Sequence, residues 1–104
     1  AEVEYHTQIM RLLGLTGGWH PEGAHINVHG GARGPGVAGF LRGFGRLSED
    51  ARGLLTVEND ETAYGLEDLL PLAETLPIVF DLHHHWCQSG GEHVAPEDPR
   101  LDIV

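Results

Sequence analysis

The sequence predicts an α/β fold, a partial (β/α)8 TIM-type barrel of about three consecutive parallel strands with intervening helices. Three observations lead there. Helix-period and strand-period segments alternate three times along 104 residues, the connections between them are short, and each strand-like segment carries a different character on its two faces. Such alternation argues for parallel strands joined by right-handed crossovers. Three strands cannot close a barrel, and an isolated three-stranded unit would leave both sheet edges open. The expected organisation is therefore one stretch, residues 1–104, of a single larger barrel domain.

In "AEVEYHTQIMRLLG" the side chains Tyr5, Ile9, Leu12 and Leu13 recur at helical spacing, and Gly14 is a suitable C-terminal stop. A Gly/Pro-containing loop leads to "AHINVHGG", where Ile26 and Val28 alternate with His25, Asn27 and His29, the period of a two-faced strand. "PGVAGFLRGFGRLSEDARG" reads as one helix with Val37, Phe40, Leu41, Phe44 and Leu47 on its apolar stripe. "LLTVENDE" is the second strand. "GLEDLLPLAETL" is a helix through Leu66, Leu69, Leu70 and Ala73, with Pro71 expected to kink it because proline removes a hydrogen bond. "PIVFDL" is the third strand.

Composition narrows the function. The formal charge is −10, from 16 acidic residues against six arginines and no lysine. Such a surface repels phosphate backbones, so nonspecific nucleic-acid affinity is not expected unless bound cations reverse the local field. A single cysteine, Cys87, excludes an internal disulfide and a thiolate-rich structural zinc site. No apolar run approaches the length that spans a bilayer. A soluble cytoplasmic protein is the expectation, and the absence of an initial methionine agrees with a fragment.

The strands supply the chemistry. Ile26/Val28, Leu55/Val57 and Ile78/Phe80 form an apolar parity suited to packing under helices, while the opposite parity carries His25, Asn27 and His29, then Thr56 and Glu58, then Asp81. In a barrel this second parity faces the interior and its last members lie at the C-terminal rim, where barrel enzymes build their sites. His29, Glu58 and Asp81, with His84 beyond the third strand, thus converge as candidate metal ligands. Imidazole and carboxylate donors suit divalent ions such as manganese, zinc or iron. The D-x-x-H spacing lets Asp81 on the rim and His84 in the following loop reach one ion, and Asn59, Asp60 and His85 are candidates for orienting these ligands from outside.

The remaining histidines divide. His6, His20 and His93 read as ordinary surface or hydrogen-bonded residues, and His83 is open between rim contact and solvent. Gly30, Gly31 and Gly34 fit a plain turn better than a phosphate cradle, and Arg33 is open between a phosphate contact and a solvated side chain.

"LTVENDE" followed by "VFDLHHH", with "HINVHGG" upstream and a "Y...RLLG" helix before it, resembles the UV damage endonuclease family over roughly Val3 to Trp86. "ENDE" is its most specific motif and D-x-x-H-H the next. The resemblance implies a metal-containing barrel that nicks the backbone of damaged double-stranded DNA, with Glu58, Asp81 and His84 in catalytic, metal-holding positions. His29 is the nearest match to the upstream family histidine. Family members often have a residue between that histidine and the Gly-Gly, whereas His29 abuts Gly30, so His25 stays open as the other choice; its deeper position favours His29. Two other readings stand beside this one: a sugar isomerase or epimerase of the xylose-isomerase-like kind, and a truncated, non-catalytic barrel piece.

Overall fold

The structure is a computed structural model that describes residues 2–18, 20–29, 36–60 and 64–104. Gly30, Gly31, Arg33, Gly34 and the last residue of the "ENDE" motif lie outside the described residues. The elements run α1 (Glu2–Leu12), β1 (Ile26–His29), α2 (Gly36–Gly45), α3 (Glu49–Leu54), β2 (Leu55–Glu58), α4 (Leu66–Leu69), a 3-10 turn (Leu70–Glu74), β3 (Ile78–Val79), α5 (Leu82–Ser89) and a final 3-10 turn (Pro99–Asp102). The three strands form one parallel sheet in the order β1-β2-β3. Ile26 pairs with Leu55 and His29 with Glu58, and Val57 pairs with Ile78. The alternating α/β reading and the parallel sheet are both present.

The apolar parity does what its pattern implies. Leu55, Val57 and Ile78 are buried together with Tyr64, Leu69, Leu72 and Leu76, and Ile26, Val28, Val37, Phe40, Phe44 and Leu47 pack against that cluster. Central β2 is buried on both faces, since Thr56 on its other parity is buried as well. A strand covered on both sides is the expected state of a parallel sheet.

Four local readings change. The segment expected as one helix from 35 to 53 breaks at Ser48, which adopts an extended backbone, accepts a hydrogen bond from Ala51 N at 3.2 Å and so caps a new helix, α3, whose first turn holds Glu49 and Asp50. Serine competes with helical continuation by offering its side chain to orphan amides, which favours a fresh start over a continuous rod.

The segment after Gly65 is a four-residue α-turn that tightens into 3-10 geometry at Leu70 and carries Pro71 in its first turn. Its buried side chains are Leu66, Leu69 and Leu72, a period of three, as 3-10 geometry requires; of the expected set Leu66 and Leu69 are buried and Ala73 packs against the core, while Leu72 takes the place of half-buried Leu70. A helix this short has no stability of its own. Each fully buried leucine contributes about 1.5–3 kcal/mol, so burial holds the segment in place.

α1 ends at Leu12 and the chain turns away at Gly14, with φ +75°, the expected stop. Its face does not match: Tyr5, Leu12 and Leu13 are 63%, 87% and 69% exposed, and the helix instead turns Val3 and buried Thr7 toward the sheet. Thr7 is accommodated because its hydroxyl donates to Val3 O at 2.8 Å, so no polar group is buried without a partner there. Periodicity located the helix but chose the wrong stripe, since a polar residue with a local acceptor can replace an apolar one.

The third strand is short, and the histidine run after it is helical. α5 begins at Leu82 with Asp81 as its N-cap, Asp81 Oδ1 accepting from His84 N at 2.8 Å, and it stops at Gly90 in the left-handed region. His84 therefore sits in a first helical turn and not in a loop. Beyond α5, Arg100 ties the tail back by bonding Glu67, Glu92 and Asp98. Hydrogen bonds from Arg100 lower the pKa of the half-buried Asp98 carboxyl to about 2.

Candidate metal centre

The rim of this sheet is assembled by register. β1 and β2 pair so that His29 stands opposite Glu58, and both point to the face away from the helices because side chains alternate along a strand. The next chain segment places Asp81 just past β3 and, through the helical turn that Asp81 caps, brings His84 back over the strand ends. Ligand atoms of Glu58, Asp81 and His84 all lie within 4.8 Å of one another. His84 Nδ1 is 3.7 Å from Glu58 Oε1 and 3.7 Å from Asp81 Oδ2.

His29 completes the edge of the cluster. Its Nε2 is 3.8 Å from Glu58 Oε2, and its ring meets the His84 ring edge-on at 5.6 Å between centroids. With its side chain 53% exposed against 14% for Glu58, it is the most open of the four. His25 lies elsewhere. It lines an open hollow of about 430 Å³ at the base of the same face with Asn27, Thr56, Pro77, Val79 and Val104.

Glu58, Asp81 and His84 are each braced. Asn27 Nδ2 donates to Glu58 Oε2 at 2.5 Å, and Thr56 Oγ1 donates to Asn27 Oδ1 at 3.0 Å, a polar chain across the inner face from β2 to β1 and back. Asn59 Nδ2 donates to Asp81 O at 3.0 Å while Asp81 N donates to Asn59 Oδ1 at 2.7 Å. His84 Nδ1 donates to Asn59 O at 2.8 Å. The amide of His84 holds the Asp81 carboxyl below its usual range, reinforced by the nearby imidazole. Two carboxylates packed beside imidazoles, with no lysine in the chain, are favourable when a cation joins them, because like charges at this distance otherwise oppose each other. The donor set of two carboxylates and an imidazole is one that divalent ions accept.

The remaining candidates separate. Asp60 Oδ1 accepts from Tyr64 N. His85 is buried and turned to the other side of α5, where its Nε2 meets Glu92 Oε1 at 3.1 Å and its ring lies against Phe80. His83 is exposed beside Cys87 on the outer surface of α5. His20 closes its own loop onto Thr16, and His93 packs on Trp86. Asn27 was legible as inward-facing, but its bond to Glu58 was not read from the sequence. The register pairing of Asn27 with Thr56, two residues before the glutamate, is the signal that would have found it.

If strand parity and rim position set the ligands, His29→Ala in the full-length protein lowers metal occupancy much more than His25→Ala does. Metal analysis of the two purified variants checks this; equal loss from both, or loss from His25→Ala alone, would move the ligand to the deeper position.

Fold and rim together define a segment of a TIM-type α/β barrel that carries a possible metal-binding triad. The chain matches the family model described as UV-endonuclease UvdE over residues 1–102, and it belongs to that family. It is 36% identical over 89 residues to the UV-damage endonuclease of Neurospora crassa, a match covering 81% of this chain and 14% of that protein. It is 33% identical over 90 residues to the UV DNA damage endonuclease of Nostoc sp., covering 85% and 27%. With the UV DNA damage endonuclease of Bacillus cereus strain G9842 it shares 29% over 104 residues, covering 91% and 31%. Among solved structures, the crystal structure of SacUVDE superposes with a TM-score of 0.76 at 24% identity, over 99% of this chain and 34% of that one. The chain thus spans no more than about a third of the relatives it matches.

Proposed function

We propose that the full-length protein carrying this chain is a metal-dependent endonuclease that nicks the DNA backbone beside UV-damaged bases. The observation that carries the reading is the Glu58–Asp81–His84 cluster at the strand ends of a chain in the UV-endonuclease family. Glu58, Asp81 and His84, with His29 at the edge, are the residues that would hold divalent metal, manganese first and zinc second. When bound, such an ion supplies Lewis acidity toward a phosphoryl oxygen and makes water a better nucleophile at neutral pH.

The chain's own residues set the stage for that chemistry. Asn27 fixes the Glu58 carboxylate, the α5 cap fixes Asp81, and Asn59 fixes His84. A bound cation would offset part of the acidic charge that otherwise repels a phosphodiester. Damaged duplex is a suitable substrate because a lesion lowers the cost of unstacking a base. The family match weighs against the sugar isomerase reading, which rests on metal-ligand chemistry alone. No described helix is long and apolar enough to cross a membrane. A cytoplasmic location and the placement of residues 1–104 within one barrel domain belong to this proposal.

The test incubates the full-length protein with UV-irradiated and untreated supercoiled plasmid, with manganese and with a chelator. Nicking is expected on irradiated DNA only, and only with metal. Equal nicking of both plasmids, or nicking that survives chelation, would overturn the reading.

A further inference from the structure

We propose that Asn59 is a positioning residue for the candidate metal centre: its buried side-chain amide clasps Asp81, and that clasp holds in place the backbone carbonyl of residue 59 that takes the His84 ring. The proposal deepens the reading above and rests on it. Asn59 is 0% exposed, in the position directly after β2 where the sheet ladder stops. The paired backbone of β2 and β3 runs out at Glu58 and Val79. Beyond it the Asn59 side chain takes the place of a peptide group: its carbonyl accepts from Asp81 N at 2.7 Å and its amide donates to Asp81 O at 3.0 Å. The backbone carbonyl of the same residue accepts from His84 Nδ1 at 2.8 Å.

The chemistry at 59 is demanding. Holding both backbone groups of Asp81 requires one donor and one acceptor on a planar group of this length, which asparagine provides and aspartate, with two acceptors, does not. Fixing the Asp81 backbone fixes the cap of α5, and the cap aims His84. The bond to Asn59 O places the His84 proton on Nδ1 and the lone pair on Nε2, so tautomer and ring orientation are set together. Metal-binding histidines commonly donate their other ring N–H to a carbonyl or carboxylate, and loss of such partners lowers metal affinity by about 10–100-fold. The side chain clasps Asp81 and the backbone carbonyl of the same residue takes the imidazole, so removing the side chain leaves that acceptor in the chain but frees the segment that aims it.

The experiment uses the full-length protein as wild type, Asn59→Ala, Asn59→Asp and Leu72→Ala, the last removing a buried leucine from the core. Manganese affinity is read by electron paramagnetic resonance, folded fraction by circular dichroism, and the His84 tautomer by histidine-selective 15N NMR without metal. The expected result is an Nδ1-protonated His84 in the wild type, and in the Asn59 variants a changed tautomer signature with manganese affinity lowered about 10–100-fold. Leu72→Ala should lose stability while its folded fraction keeps wild-type affinity. Unchanged affinity and tautomer in folded Asn59→Ala would overturn the proposal, as would equal affinity loss in Leu72→Ala. Should neither Asn59 variant fold, the wild type still decides: a His84 that is not Nδ1-protonated without metal overturns it. If the wild type shows that tautomer but binds no manganese, the nuclease reading fails and the clasp stands.

Discussion

Glu58→Gln in the full-length protein is expected to abolish divalent-metal binding and damage-dependent nicking while leaving the fold nearly intact. Glu58 is the residue on which the rim converges: His29 and His84 face its two oxygens and Asn27 donates to one of them. Glutamine keeps the volume and the planar shape, so packing against β1 is preserved. What disappears is the charge and one acceptor, and the new amide nitrogen is turned toward groups that are themselves donors. Loss of a ligand should exceed the about 10–100-fold typical of losing an outer hydrogen-bond partner. Manganese titration, plasmid nicking and a thermal melt measured on the same preparation check it. Wild-type metal content in the variant would remove Glu58 from the centre.

The second large effect concerns the 104 residues alone. They are expected to bind divalent metal weakly, to associate through sheet edges, and to show no nicking of irradiated plasmid. Among the described residues β1 and β3 each have a neighbour on one side only, and such edges pair readily with other chains. On the inner face Asn27, His29 and Val79 are exposed, so the rim lacks the surrounding ring that holds a site to a fraction of an ångström. Incubation of the purified segment with manganese and irradiated DNA, beside the full-length protein, provides the comparison. Damage-dependent nicking by the segment at a rate near that of the whole protein would require a complete site within these residues.

Much of this architecture was legible because it depends on period and parity. Ile26/Val28 and Leu55/Val57 announce two strands and their buried face, and the opposite parity names Glu58 and His29 as neighbours before any pairing is known. The parts that were not legible depend on competition between local and tertiary terms. Ser48 looks like one polar residue in a helical stripe until its side chain captures the Ala51 amide. Asp81 looks like the last residue of a strand, and its role as a helix cap appears only when His84 N is seen to bond it. The stripe of Tyr5, Leu12 and Leu13 shows the opposite failure: a clear apolar period that this sheet does not use. At the rim, Asn59 was expected to orient the ligands together with Asp60 and His85. The difference among the three lies in which way each side chain leaves the backbone, which composition cannot encode.

The pairing of His29 with Glu58 across adjacent parallel strands has a metrical consequence. Neighbouring strands stand about 4.7–4.9 Å apart wherever a sheet is formed, and His29 and Glu58 stand on two such strands. The spacing of this pair is thus inherited from the hydrogen-bond ladder, with the two side chains as interchangeable heads on fixed posts, while Asp81 and His84 take theirs from the cap of α5. Exchanging a head alters hardness and charge at constant spacing, so the preference among ions can drift without any redesign of the scaffold. A slip of one rung between β1 and β2 does the reverse: it keeps every residue type and carries His29 to the opposite face of the sheet.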